Sequence, residues 1–202
     1  MHKPILILGY GSLIWDLDDL APKVRGAWRM GAGPSLPLEF SRVSPKRKLS
    51  LVVVIDTEAG DPCPTHVIDS ARATVAEAVV DLAARERTEV AHIGWVDLAA
   101  GTAHSQRDGV AERVRAWCEA TGAKGAVWTD LDGNFEQATG APFTVARGIA
   151  YLQTLEGENL AAAHEYIDGA PAGTDTPLRR ALKAETWWHD RTPPHPSRHP
   201  LR

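Results

Sequence analysis

Glu86 is the residue whose type and position could most directly carry chemistry. Thr74-Val-Ala-Glu77 has the spacing of a capping box, so a helix should begin near Val75. At about 100° per residue Val75, Val79 and Leu82 share one face, and Glu86 falls about 20° from Val75 on that same face. Arg85 and Arg87 are expected on its flanks, with Glu77, Asp81 and Ala84 on the far side. A carboxylate on an apolar helix face is costly unless it is paired, hydrogen-bonded or protonated, because burial disfavours the ionised form. A carboxyl so placed can take up and return a proton near neutral pH, which is general acid/base chemistry. The competing reading ends the stripe at Leu82 and leaves Glu86 exposed in an Arg-Glu-Arg charge run.

A second chemical feature lies at the start of the chain. Ile5-Leu6-Ile7-Leu8 is a short apolar run that reads as a strand buried on both faces. It runs directly into Gly9-Tyr10-Gly11-Ser12-Leu13-Ile14-Trp15. Glycines on either side of Tyr10 allow positive φ and close approach of backbone to a ligand. The N–H groups of Gly11, Ser12 and Leu13 could then converge on an anion or a carbonyl oxygen. A nucleotide fingerprint is disfavoured: the third glycine is absent, and Asp16, Asp18 and Asp19 stand where a phosphate-binding helix should open. The alternative without a ligand is a tight turn that closes a hairpin.

Other elements must hold these two features. Between them, residues 16–37 are rich in Gly, Pro and Asp and read mostly as loop with one short helical turn. Leu36 to Arg42 and Leu49 to Ile55 read as strands, the second as a central one. The basic tip between them, Arg42 to Lys48, reads as a solvated turn, with Arg42 the member able to reach inward to a carboxylate. Glu58 to Pro64 reads as a loop, and Thr65 to Asp69 as a short strand. Downstream come a strand over Glu89–Leu98, a helix through Val110, Val114 and Cys118 that ends at Gly122, and a strand over Gly125–Leu131. Helix faces follow through Val145, Ile149 and Leu152, then Leu160, His164 and Ile167. A last helix spans Thr176–Trp188, before a proline-rich tail.

The 202 residues, 44% hydrophobic and 24% charged, suit one domain over 1–190 with a tail over 191–202. A net charge of −4 argues against a nucleic-acid binder. No apolar run approaches membrane-spanning length, and the start is too short for a secretory signal. Cys63 and Cys118 cannot build a disulfide framework and read as structural thiols, so a cytoplasmic location is expected. His189, His195 and His199 lack the partners and spacing of a metal site, and no cofactor is called for.

Gly9-Tyr10-Gly11-Ser12-Leu13-Ile14-Trp15 resembles the substrate loop of the γ-glutamylcyclotransferase superfamily, especially its ChaC-like branch. Asp81-Leu82-Ala-Ala-Arg85-Glu86 is similar to the Leu-Asp-x-Arg-Glu segment of the same proteins, with Ala83 replacing an aspartate. Gly157-Glu158-Asn159 and Glu165-Tyr166 are more loosely similar to late helices of that branch. The resemblance implies an α+β fold in which a small mixed sheet curls into a barrel among helices. It also implies Glu86 as the acid/base residue, and Tyr10, Gly11, Ser12 and Leu13 as the loop that holds a γ-glutamyl substrate. The implied reaction converts a γ-glutamyl amide to 5-oxoproline and an amine without metal or cofactor. Glutathione, γ-glutamyl amino acids and γ-glutamyl amines all remain open as substrates, as does the oligomeric state. Two alternatives are a non-catalytic binding module on the same fold and a γ-glutamyl transferase or amide hydrolase. A Glu86 facing the loop favours catalysis, whereas a distant and exposed one favours binding.

Overall fold

The computed structural model describes residues 3–190; the Pro/His-rich tail, with His195 and His199, lies outside them. The chain is α+β. Strand β1 (Ile5–Gly9) lies inside a six-stranded mixed sheet. The other strands are β2 (Val24–Arg29), β6 (His66–Ser70), β7 (Ile93–Asp97), β8 (Thr102–His104) and β9 (Gly125–Thr129), in the order β2-β6-β1-β9-β7-β8. β1 runs antiparallel to β6 and parallel to β9.

Alternation along β1 explains its uninterrupted apolar sequence. Ile5 and Ile7 pack with Val75, Val79 and Leu82 of α1 (Val75–Glu86), while Leu6 and Leu8 point into a second core on the opposite face. Full burial of one such side chain contributes roughly 1.5–3 kcal/mol. The capping box forms as the spacing predicts: Glu77 N–H donates to Thr74 Oγ1 at 3.3 Å, and Thr74 N–H donates to Glu77 Oε2 at 3.1 Å. Asp81 departs from expectation. It is buried rather than on the exposed side, because Arg72 and Lys23 reach over it, with Lys23 Nζ at 3.3 Å and Arg72 Nη2 at 3.0 Å from Oδ1.

The second core is closed by a three-stranded sheet, β4-β3-β5, formed by β3 (Ser35–Ser44), β4 (Ser50–Ile55) and β5 (Asp61–Pro64). β3 is its middle strand, and β4, expected to be central, is an edge. β4 is apolar because α4 (Val145–Gln153) and α5 (Gly157–Gly169) pack on it, not because strands flank it on both sides. β5 and β2 were both expected to be loop. Pro62 and Pro64 are tolerated in β5 because it is an edge strand, where a missing N–H costs no ladder bond.

The single barrel-like sheet of the sequence reading is replaced by two sheets, and neither closes on itself among the described residues. The β2–β3 arm and the β5–β6 arm cross from one sheet to the other side by side, at Gly33 and Thr65. Gly33 N–H donates to the Thr65 carbonyl at 3.0 Å, and a Cβ on Gly33 would lie 2.2 Å from Thr65 Oγ1. The bend there turns the ladder instead of continuing it around a barrel.

Helix α2 (Val110–Thr121) ends at Gly122 as expected, with Cys118 in the core. The unexpected short helix α3 (Phe135–Thr139) follows β9. The strand expected from Glu89 begins only at Ile93, after a 3₁₀ turn over Val90–His92. The expected last helix is divided into α6 (Pro177–Leu182) and α7 (Thr186–Asp190), where i→i+3 hydrogen bonds from Ala184 and Glu185 tighten the connection. His164 of α5 stacks on Trp188 of α7 at 3.7 Å between ring centroids, which docks the end of the described chain. No described helix is long and apolar enough to cross a membrane.

Candidate functional site

Parallel pairing brings the carboxyl ends of β1 and β9 to the same edge of the sheet. From β1 emerges the glycine loop, and β9 ends there on Thr129. Helix α1, packed across β9 and β1, delivers its last residue, Glu86, to that edge. The three converge on one cleft of about 730 Å³ that contains all five residues expected from sequence: Tyr10, Gly11, Ser12, Leu13 and Glu86.

Glu86 is neither isolated on an apolar wall nor exposed in a charge run. Its side chain is 15% exposed, and its Oε1 accepts from Arg85 Nη1 at 2.8 Å and from Thr129 Oγ1 at 3.2 Å. Arg85, expected on an open flank, has its side chain only 8% exposed, and its other terminal nitrogen, Nη2, donates to the Asp16 carbonyl. One guanidinium therefore ties the end of α1 to the chain just beyond the glycine loop. A charge-assisted pair of this kind orients a carboxylate at little conformational cost, because the arginine is already fixed.

Tyr10 turns its ring into the core and donates its hydroxyl to the Thr129 carbonyl. Burial, reinforced by the nearby charges of Asp130 and Glu86, pushes its phenol well above the ordinary value, so it remains a donor. Gly9 and Gly11 do not adopt positive φ. Glycine is required by close approach: a Cβ on Gly9 would lie 2.6 Å from the Trp28 ring, and one on Gly11 would lie 2.8 Å from Tyr166 Oη. The N–H of Ser12 is aimed at Tyr166 Oη, whereas those of Gly11 and Leu13 have no partner among the described residues. Burial first, and then the Glu86 charge, pushes Tyr166 up to about 12, so this phenol also stays protonated.

The basic tip is not simply solvated. Its 3₁₀ turn, Pro45–Arg47, leans over the cleft. Lys46 Nζ donates to the Glu86 carbonyl at 2.8 Å, and Arg47 pairs with Asp16 at 3.3 Å while lying 5.9 Å from the Tyr166 ring centroid. Arg42 reaches the Asp132 backbone carbonyl rather than a carboxylate. Sequence reading missed Thr129, Arg85 and Tyr166 as members of this site. Arg85 adjoins Glu86 in sequence, and that neighbour was the available signal. Thr129 carried no such signal, because the strand expected over Gly125–Leu131 places it inside rather than at the end, whereas β9 stops at Thr129.

Outside the cleft, Cys63 and Cys118 are buried thiols, and desolvation raises both, Cys118 to about 12. Among the described residues no group of three His, Cys, Asp or Glu is placed to hold a metal ion, and His189 is exposed on α7. His164, expected as a satisfied core histidine, is buried with Nδ1 3.2 Å from Asp168, but its Nε2 has no hydrogen-bond partner among the described residues. Comparison of the chain with protein-family models, with curated proteins and with solved structures finds no match.

Proposed function

We propose that this chain is a γ-glutamylcyclotransferase-like enzyme that converts a γ-glutamyl amide or peptide to 5-oxoproline and releases the amine. The observation that carries the reading is the convergence of Glu86 and the Tyr10–Leu13 loop on one cleft, joined through Thr129. The Glu86 carboxylate takes a proton from the substrate's α-ammonium. The freed amine attacks the γ-carbonyl carbon; a C–N bond forms within the five-membered ring, and the original amide C–N bond breaks. Protonated Glu86 then gives its proton to the departing nitrogen, and the ring nitrogen loses its remaining extra proton to the regenerated carboxylate. That proton passes to the released amine, which leaves as an ammonium beside neutral lactam N–H and free carboxylate. Because nucleophile and electrophile belong to one molecule, the protein must fold the substrate rather than capture a second reactant. The unpartnered N–H groups of Gly11 and Leu13 are suited to the γ-carbonyl oxygen as negative charge develops on it.

Buried, unpaired Cys63 and Cys118 suit a reducing cytoplasmic location for this reaction. The test is release of 5-oxoproline from glutathione, γ-glutamylalanine and γ-glutamylbutylamine. Turnover of any one with equimolar amine supports the reading and names the leaving group. Release of glutamate instead of 5-oxoproline would make the protein an amide hydrolase. Folded protein that is silent on all three would contradict catalysis of this class.

A further inference from the structure

Thr129 belongs to none of the motifs read from the sequence, yet it touches both halves of the cleft. Its hydroxyl donates to Glu86 Oε1 at 3.2 Å, and its carbonyl accepts from the Tyr10 hydroxyl. Arg85 Nη1 donates to that same Oε1 at 2.8 Å. Both donors thus fall on one oxygen of the carboxylate, while Oε2 has no hydrogen-bond partner among the described residues. The side chain is only 15% exposed and lines the cleft, so the unengaged oxygen is the one left for a ligand.

We infer that Thr129 is a positioning residue that locks Glu86 through Oε1 and reserves Oε2 as the oxygen that takes up and returns the proton. This rests on the cyclotransferase reading and deepens it. A carboxylate held by Arg85 alone could rotate about its terminal torsion and present either oxygen, since that torsion is broad and roughly two-fold. A second donor on the same oxygen, fixed at the end of a central strand, removes that freedom. The Tyr10 hydroxyl in turn holds the Thr129 backbone, which couples the register of the loop to the orientation of the acid/base group. Thr129 touches no reacting atom in this scheme; it acts through Glu86.

The experiment compares wild type, Thr129→Val and Thr129→Ser in two measurements. The first is steady-state 5-oxoproline release from glutathione, γ-glutamylalanine and γ-glutamylbutylamine. Valine keeps the shape and β-branching but cannot donate, whereas serine keeps the hydroxyl. The expected result is a kcat about tenfold lower in Thr129→Val, the scale of one lost hydrogen bond to a charged group, with KM within about twofold of wild type. Thr129→Ser should recover most of that kcat. The second is the isotope-edited infrared spectrum of the Glu86 carboxylate, identified by its loss in Glu86→Gln and needing no turnover. Its bands should move in Thr129→Val and return in Thr129→Ser. Active wild type with an unchanged kcat in Thr129→Val, or bands that do not move, overturns the role of Thr129 and leaves the cyclotransferase reading standing. Folded wild type that is silent on all three substrates overturns the cyclotransferase reading and the assignment of Oε2 with it, even where the infrared bands move.

Discussion

Two glutamates of this chain are withdrawn from bulk water, and the fold treats them in opposite ways. Glu86 sits at the rim of a cleft with a guanidinium 2.8 Å from one oxygen, and 15% of its side chain remains open. Glu39, on β3, is fully buried and has no cationic partner among the described residues: its Oε1 accepts from Phe40 N–H at 2.7 Å and its Oε2 from Leu178 N–H at 3.0 Å. The Thr176 hydroxyl supplies a further hydrogen bond. Desolvation outweighs these donors and pushes Glu39 up to about 7, with the charge of Asp56 adding to it. A strongly perturbed acid is often taken as a sign of a functional site. Here it marks a structural joint, because Glu39 joins β3 to the start of α6 and lines neither the cleft at Glu86 nor the cavity between Asp56 and Phe143. Access to a cleft and a fixed orientation distinguish the candidate catalytic carboxyl from the structural one.

The largest way to break this contrast is to make Glu86 resemble Glu39 by removing its cation. Arg85→Gln should lower 5-oxoproline turnover roughly tenfold or more, because the carboxylate loses its charged donor and the Asp16 carbonyl its tie to α1. Steady-state kinetics on the variant, with circular dichroism to establish folding, checks this. An undiminished rate would mean that the ion pair does not orient Glu86.

The converse change sharpens the contrast through pH. The carboxyl of Glu39 titrates near 4.5 in an unfolded chain and at about 7 in the fold. Its folded value is raised, so the fold binds the proton more tightly than the unfolded chain does. That contribution to stability is fully present below about pH 4.5 and is lost as pH rises to about 7, on the order of 3 kcal/mol in total. Glu39→Gln cannot ionise, so the difference in unfolding free energy between wild type and variant should change across this window and level off above it. Denaturant melts at pH 4.5, 6 and 8 measure it, and a difference that is constant with pH would contradict the assignment. A smaller effect is expected from Thr176→Val, which removes one donor to Glu39 and the cap that accepts from Arg179 N–H at 3.2 Å. It should cost about 1–2 kcal/mol in the same melts and leave 5-oxoproline turnover unchanged.

Local patterns in the sequence carried much of this architecture. The capping box of α1 and the apolar run of β1 were legible because each encodes its structure within a few residues. So were the five expected residues of the cleft, whose glycines and carboxylate stand out against their surroundings. What stayed hidden depends on distant partners. β4 reads as central because apolar residues do not reveal whether a strand or a helix covers them. β5 hides behind Pro62 and Pro64, which are compatible with a strand only at an edge. The positions of Asp81 and Arg85 are set by Arg72, Lys23 and Asp16, all remote in sequence or off the helix period. Thr129 acquires a role only when β9 lies parallel to β1, and the basic tip only when the second sheet folds over the cleft.

The most direct test of the central claim is 5-oxoproline release by wild type and Glu86→Gln, assayed side by side on whichever γ-glutamyl compound the wild type turns over fastest. Glutamine preserves the size and much of the hydrogen bonding of Glu86 but cannot shuttle a proton. The account predicts a fall in kcat of at least ~100-fold with the variant folded, the scale of a lost general acid/base. A rate within a few-fold of wild type would contradict the assignment and remove Glu86 from the chemistry.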